Sequence, residues 1–206
     1  MDVTVVVATF GGAEWVDLAK RRAIPSAQHL DVPVIHTHEN TLHDARNAGL
    51  ELVETSHIIY LDADDELEPN YITAMMTGTC DLRAPQVRYV HNTTGQHPAF
   101  PRVYGHGHMC VGECLLQGNW MVIGTMAPVS LLRKVGGWRD WPWSEDWDVW
   151  LRCYLDGATV EGIPAAIYRA HVNPRSRNRS ASHAVRMATH RAIEAANGIG
   201  PGGVRL

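Results

Sequence analysis

A continuous run of apolar and β-branched residues near the start of the chain limits what it can fold into. The run covers residues 3–9 and is closed by Gly11 and Gly12. Because it does not alternate with polar residues, it is typical of a strand buried on both faces, as in parallel sheets. Shorter segments at residues 33–38 and 57–61 have the same character. The sequence therefore predicts a parallel sheet with helices on both faces.

Segments with helical spacing separate these strands. Apolar residues recur at intervals of three and four over residues 14–28 and 42–54. Strands that alternate with helices through short links predict an α/β fold with a doubly wound, mostly parallel sheet of Rossmann type. Further strands are predicted at residues 87–91, 120–125 and 159–170, and further helices at residues 128–135, 145–155 and 182–196.

Length and charge restrict the class of protein. A chain of 206 residues is long enough for one domain with its own core. The net charge of −4 does not favour nucleic acid as a partner. From residue 172 onward, however, six arginines stand against one acidic residue. We expect one domain over residues 1–171, and over residues 172–206 a basic loop and a helix that pack on it or close over it.

The sequence also predicts a location. The first ten residues begin with an acid and have no basic region before their apolar segment, unlike a signal peptide. No apolar run approaches the roughly 20 residues that a membrane helix needs. Four cysteines in a chain of this length do not form a disulfide framework. We expect a soluble cytoplasmic protein without a membrane span, whose oligomeric state the sequence leaves open.

Three aspartates, Asp62, Asp64 and Asp65, follow the third predicted strand. In open α/β sheets ligands bind beyond the carboxyl ends of the strands, so these carboxylates are expected to face the binding crevice. Clustered carboxylates repel one another, and a divalent cation such as Mg²⁺ or Mn²⁺ relieves this repulsion. An acidic turn without a ligand explains the three residues equally well. An EF-hand does not, because its sixth position requires glycine and is Leu67 here.

A second acidic cluster, Glu145, Asp146 and Asp148, begins a predicted helix. Acidic residues in a first turn are favoured by the helix dipole, which is a sufficient structural explanation. The functional hypothesis is that one of these carboxylates acts as a general base.

Five of the seven tryptophans lie within residues 138–150. Indole rings stack on sugars and also fill protein cores. The helical spacing of Trp147 and Trp150 favours a place in the core. Trp141 and Trp143, on either side of Pro142 in a loop, could equally line a site that binds an acceptor substrate such as a sugar.

A group of possible zinc ligands precedes this region: His106, His108, Cys110 and Cys114. The residue types suit zinc, but their spacing is not that of the usual ligand pairs. With 12 histidines in the chain, a chance grouping is the simpler interpretation.

Four segments together resemble the family 2 glycosyltransferases. They are ARNAG at residues 45–49, HIIYLDADD at residues 57–65, VGGW at residues 135–138 and EDWDVWLR at residues 145–152. Each is weak alone, but all four occur in the order and at the spacing of the family. The resemblance extends from about residue 3 to residue 171.

The resemblance implies a GT-A fold and an inverting hexosyltransferase that uses a nucleotide-sugar donor. Asp62 and Asp64 would form the DxD motif, with Asp64 on a Mn²⁺ or Mg²⁺ ion that bridges the donor diphosphate, and Asp62 on the ribose or the metal's waters. Asp146 would deprotonate the acceptor hydroxyl, and Glu145 would support the acceptor. His171 would stand where some relatives place a late metal ligand.

The resemblance also suggests a donor site. Thr9 and Phe10 would border the nucleotide base, and Arg46 would bind it. Many relatives carry an acid after the second strand, and Glu39 would take its place here. A UDP-sugar is the favoured donor and a GDP-sugar the second choice, with a carbohydrate or protein as acceptor. Arg175 belongs to a basic loop that either closes over the diphosphate or is a solvated linker.

Two other functions fit the same fold. Nucleotidyl transfer onto a sugar phosphate usually needs a basic, glycine-rich loop after the first strand, and Gly11 and Gly12 are followed by no basic residue of that kind. A non-catalytic module that binds a nucleotide-sugar or a carbohydrate would have no need of a base such as Asp146.

Overall fold

The computed structural model describes residues 2–91, 95–96, 112–172, 182–200 and 203–205. Within these residues the strands are β1 Val3–Phe10, β2 Val34–Glu39, β3 His57–Asp62, β4 Glu66–Leu67, β5 Leu82–His91, β6 Gly95–Gln96, β7 Met126–Pro128, β8 Val160–His171, β9 Ile199–Gly200 and β10 Val204–Arg205. The helices are α1 Ala13–Arg21, α2 Ala23–Gln28, α3 Leu42–Leu52, α4 Tyr71–Met75, α5 Val129–Lys134, α6 Glu145–Leu155 and α7 His183–Ala196, with a 3₁₀ helix at Gly112–Leu116.

The first three long strands form the parallel half of the main sheet. β1 lies between β2 and β3 and is parallel to both, with Val6 opposite Ile35 on one side and Tyr60 on the other. Residues 3–9 are all buried, which confirms the expected strand with two covered faces. α3 packs directly on β1, and a Cβ atom on Gly49 would overlap Cγ1 of Val6. Glycine at this position therefore permits the close approach of helix and sheet.

The rest of the main sheet mixes parallel and antiparallel pairs. Among the described residues its order is β2-β1-β3-β7-β5-β8-β4, and β6 pairs with β5 to make eight strands. β7 is antiparallel to both β3 and β5, whereas β5 and β8 are parallel and shift register between Pro85 and Gln86. The predicted α/β fold is confirmed, but the sheet is mixed: the long strands pair in parallel, and β7, β4 and β6 join through antiparallel pairs.

Two predicted elements differ from the structure. The helix expected over residues 14–28 is divided at Arg22, whose backbone lies outside the helical region. The strand expected over residues 120–125 is wrong, since the strand is Met126–Pro128. Thr125 turns the chain back on itself, because its amide and its hydroxyl both donate to the carbonyl of Val122. The apolar character of this segment reflects burial in a turn.

Buried contacts anchor α6 to the turn after α5. Asp148 is fully buried and binds Arg152 at 2.9 Å, one helical turn along. Arg152 in turn donates to the carbonyls of Val135 and Gly137 in the turn after α5. Trp147 and Trp150 are fully buried, which confirms their expected place in the core. The first turn of α6 is thereby presented at the edge of the sheet where β3 ends.

The C-terminal helix α7 begins at the predicted serine. Ser182 accepts a hydrogen bond from the amide of Val185 and so caps the helix. Thr189 and Ile193 face the interior, and Asn197 donates to Asp148 of α6 at 3.0 Å. α7 therefore packs on the domain. No helix in the described part of the chain is both long and apolar enough to cross a membrane.

Candidate functional site

A cleft of about 610 Å³ opens where β3 ends and α6 begins. Arg46, Asp62, Asp65, Glu145 and Asp146 line one part of it. Its other walls are largely apolar and aromatic, and they come from β5, β8, the segment before β7, the loop before α6 and His190 of α7. The two acidic segments singled out in the sequence therefore meet in one cavity.

Arg46 joins the two acidic segments. It lies on α3 with only 2% of its side chain exposed, and it donates to Oε1 of Glu145 at 2.7 Å and to Oδ1 of Asp62 at 3.0 Å. Its guanidinium lies 4.4 Å from the ring centre of Trp138. Burial by itself lowers the pKa of Arg46, but the charges of Glu145 and Asp62 outweigh this effect and raise it. The arginine is thus a permanent cation between the two carboxylates.

The turn after β3 presents its three aspartates differently. Asp62 exposes 40% of its side chain, and Asp64 is partly exposed, with its backbone carbonyl bound by Arg22. Asp65 is buried and accepts hydrogen bonds from the hydroxyl of Tyr168 and the amide of His171. Burial raises the pKa of Asp65 well above its ordinary value, and its aspartate neighbours add to the rise. Asp65 therefore serves to hold the turn against β8.

Asp146 lies in the first turn of α6, beside the clamp made by Arg46. Its Oδ1 accepts from the side chain of Asn119 at 3.0 Å and from the amide of Trp147 at 2.9 Å. Desolvation, and then the charge of Glu145, raise the pKa of Asp146 to about 6, although Arg46 acts in the opposite direction. A carboxylate of this kind is ionised at pH 7 and is a stronger base than an ordinary aspartate.

Trp143 lines the cleft, whereas Trp141 does not. The ring of Trp143 stacks on His190 of α7, with ring centres 5.1 Å apart and planes 24° apart. Trp141 packs against the hydrophobic core, and its indole nitrogen has no hydrogen-bond partner among the described residues. The two candidates for an acceptor site are thus separated, and Trp143 alone faces the cavity.

The expected donor residues lie along the ends of β1 and β2. Thr9 is buried, and its hydroxyl lies 3.0 Å from Nε2 of His36 and 3.0 Å from Nδ1 of His38. Phe10 is partly exposed and Glu39 is exposed. None of these three side chains lines the cleft that holds Asp62 and Asp146. Arg175 lies outside the described residues.

The side chains near the acidic turn could supply part of the coordination shell of a divalent cation, with the remaining ligands coming from phosphate and water. The described residues contain no ready cluster of three metal-ligating side chains. Asp62 engages Arg46 through one oxygen and keeps much of its side chain exposed. His171 bonds Glu66 through Nε2 at 2.5 Å, while its Nδ1 is buried without a partner among the described residues. Mg²⁺ and Mn²⁺ commonly bind one or two carboxylates and take further oxygens from phosphate and water.

The zinc hypothesis finds no support in this region. Cys114 is disulfide-bonded, so it has no thiolate to offer a metal. His106, His108 and Cys110 lie outside the described residues. Cys80 and Cys153 are free thiols, and burial raises the pKa of Cys153 to about 12.

Sequence reasoning missed three residues that shape the cleft: Asn119, Tyr168 and His190. Tyr168 donates to Asp65 and accepts from the amide of Asp62, across about a hundred residues of sequence. Asn119 binds Asp146 from a segment without regular structure. His190 sits in a helix whose apolar spacing and serine cap predict the helix but not a contact with the cleft. Contacts between such distant segments leave no local pattern.

Two family models match the chain. The model of glycosyl transferase family 2 matches residues 14–92, and the model of glycosyl transferase family group 2 matches residues 57–185, which is more than half of the chain. Among curated protein sequences, none matches significantly.

Solved structures share the fold at low sequence identity. S. aureus TarS 1–349 in complex with UDP-GlcNAc aligns with a TM-score of 0.66 and 13% identity, covering 95% of this chain and 66% of that one. The same TarS fragment with UDP gives 0.61 and 15%, covering 95% and 65%. GalNAc-T7 with UDP, GalNAc and Mn²⁺ gives 0.55 and 13%, covering 84% and 44%. The chain thus spans just under two thirds of the TarS fragment, and these matches establish the GT-A fold.

Proposed function

Because this chain belongs to glycosyl transferase family 2, we propose that its cleft transfers a hexose from a nucleotide-diphosphate sugar to an acceptor hydroxyl with inversion at the anomeric carbon. The observation that carries the proposal is the double clamp of Arg46 on Asp62 and Glu145. The clamp joins the turn proposed to hold the donor diphosphate to the helix that carries the proposed base. Inversion needs a base and a leaving group on opposite sides of the reacting carbon, and we assign the base to the segment at Asp146 and the leaving diphosphate to the turn at Asp62.

Asp146 is the proposed general base. It takes the proton of the acceptor hydroxyl while the oxygen forms its bond to the anomeric carbon. The bond from that carbon to the diphosphate oxygen breaks in the same step, and its electron pair leaves with the nucleoside diphosphate. Asn119 and the amide of Trp147 both bind one oxygen, Oδ1, of Asp146. These bonds fix the orientation of the carboxylate toward the acceptor.

The raised pKa of Asp146 predicts a pH profile. Below about pH 6 the carboxyl is protonated and cannot accept a proton, so kcat should fall about tenfold for each unit below pH 5. Above pH 7 the rate should be level. Initial rates at saturating donor, with Tm measured in the same buffers as a control for unfolding, check this. A rate that is constant from pH 4.5 to 8 would contradict the role of Asp146.

Asp62 and Asp64 are the proposed holders of a Mn²⁺ or Mg²⁺ ion, with His171 as a further candidate. When bound, such an ion neutralises charge that develops on the leaving diphosphate. Asp62 contributes a partly exposed carboxylate, of which Arg46 binds one oxygen, Oδ1. The Mn²⁺ and UDP in the structure of GalNAc-T7 support this assignment by similarity of fold.

UDP-sugars are the proposed donors, with GDP-sugars as the second choice. TarS, which shares the fold, was solved with UDP-GlcNAc, so UDP-GlcNAc is the first donor to test. Thr9, Phe10 and Glu39 are proposed to border the base at the ends of β1 and β2, and Arg175 to approach the diphosphate. The acceptor is proposed to be a carbohydrate or a protein side chain that rests on Trp143. A cytoplasmic location remains a prediction.

Thermal melting with nucleotides tests the donor site. We expect UDP with Mn²⁺, at about 100 times its Kd, to stabilise the protein by about 2.7 kcal/mol and to raise Tm by about 5–10 °C. Asp64→Ala should lose this shift, whereas the matched variant Asp17→Ala, at an exposed position of α1, should keep it. No shift with UDP, GDP, dTDP or CDP would contradict the donor site. Binding without any sugar transfer would favour the non-catalytic module.

A further inference from the structure

A histidine from the C-terminal helix reaches the end of the cleft that holds Asp146. His190 lines the cavity, and its ring contacts two tryptophans. It stacks on Trp143, which forms the cleft wall, and its ring centre lies 4.5 Å from that of Trp147, which is fully buried. His190 is therefore a wedge between the wall of the cleft and the core beneath α6.

The residue before the acidic turn of α6 has an unusual backbone that His190 contacts. Ser144 adopts left-handed dihedrals, φ 56° and ψ 31°, which are unfavourable for serine unless the surroundings hold them. It occupies the N-cap position of α6, yet its side chain forms no capping hydrogen bond. Its hydroxyl lies instead 3.3 Å from Nε2 of His190. The conformation that directs Glu145 and Asp146 into the cleft is thus supported from α7.

α7 itself is fixed to the domain at other points. Ile193 is fully buried, and Asn197 binds Asp148 of α6. Arg186, one turn before His190, places its guanidinium 5.2 Å from the ring centre of Trp143. These contacts hold α7 in place on both sides of His190. The position of the imidazole beside the turn at Ser144 is therefore fixed by the packing of the helix.

We propose that His190 is a positioning residue: its ring, wedged between Trp143 and Trp147, holds the turn at Ser144 so that Asp146 faces the acceptor. This inference rests on the function proposed above, in which Asp146 is the base. Burial lowers the pKa of His190, so the ring is neutral at pH 7 and adds no charge beside Asp146. A displacement of about 1 Å in a reacting group can cost about a hundredfold in rate.

The test compares His190→Ala with His190→Phe, which keeps an aromatic wedge. UDP release from UDP-GlcNAc, with water as acceptor, gives kcat and the donor KM, and UDP titration gives Kd. We expect His190→Ala to lower kcat about 10–100-fold with KM and Kd within twofold. His190→Phe keeps the ring but loses the contact with the Ser144 hydroxyl, so it should recover part of the lost kcat. His183→Ala, at an exposed position of the same helix, is the control.

Hydrogen exchange gives a second measurement that does not depend on turnover. In His190→Ala, peptides covering residues 141–150 should exchange about tenfold faster, while peptides from β1 and β3 should not change. His190→Phe, which keeps only the ring contacts, should restore part of the protection. An unchanged kcat or exchange rate in His190→Ala, or equal losses of kcat, UDP affinity and Tm, would overturn the proposal. Full turnover in Asp146→Asn would reject the proposed base. Wild-type behaviour of the His190 variants, with turnover lost in Asp146→Asn, would reject only the positioning role of His190.

Discussion

Replacing Asp146 with Asn is expected to lower sugar transfer by about 10²–10⁴-fold while leaving nucleotide binding unchanged. The amide has nearly the shape of the carboxylate and can still accept from Asn119 and from the amide of Trp147. It cannot take the acceptor proton at neutral pH. Initial rates with UDP-GlcNAc, together with the Kd for UDP in the presence of Mn²⁺, measure the two effects separately.

A matched control lies in the loop before α6. Asp140→Asn makes the same chemical change at a side chain that is 77% exposed, and it should leave the rate of transfer within about twofold. If Asp146→Asn retained more than a tenth of wild-type kcat, the assignment of the base would be wrong. The donor site proposed at Asp62 and Asp64 would not be affected by that result.

Replacing Arg46 with Ala is expected to be the most destabilising change at the site, at about 3–5 kcal/mol. The arginine is 2% exposed and neutralises Glu145, whose side chain is 7% exposed. Its removal leaves a buried carboxylate without its cation, and it also leaves a cavity beside Trp138. For a chain of this size Tm should fall by about 6–20 °C, measured by calorimetry or circular dichroism.

Arg88 provides the comparison. It binds Glu68 at 3.0 Å, the same distance as Arg46 to Asp62, but the side chains of this pair are 29% and 23% exposed. Because solvent screens that pair, Arg88→Ala should cost no more than about 1 kcal/mol. The double variant Arg46→Met with Glu145→Gln removes both buried charges of the pair and should recover about half of the stability lost in Arg46→Ala. A loss in Arg46→Ala no greater than in Arg88→Ala would contradict the clamp.

Arg46 also links stability to the proposed chemistry. It contacts Asp62 at the end of β3 and Glu145 at the start of α6, and its backbone carbonyl accepts from Tyr60. The ion pairs that hold these elements together therefore also set the distance between the turn proposed to hold the donor and the helix that carries the proposed base. We expect substitutions at this residue to affect folding and transfer together, whereas those at Asp146 affect transfer alone.

Local patterns predicted most of the regular structure. The apolar run at residues 3–9 became β1 within one residue of its expected ends, because burial on both faces excludes polar residues from such a strand. Ser182 marked the start of α7, because a side-chain cap is a property of a few adjacent residues. The strand predicted at residues 120–125 was wrong because the apolar residues there are buried in a turn. Burial alone does not distinguish a strand from a turn.

The sequence by itself determined most of the strands and helices in their order along the chain, and the two acidic turns at their ends, since each depends on residues that are close along the chain. Tertiary structure alone decided how these parts meet. Arg46 and Glu145 are 99 residues apart, and His190 reaches Ser144 across 46. Such contacts depend on how whole helices pack against the sheet, and a single side chain carries no local sign of its distant partner. The function proposed for the cleft rests on these packing contacts as much as on the acidic residues themselves.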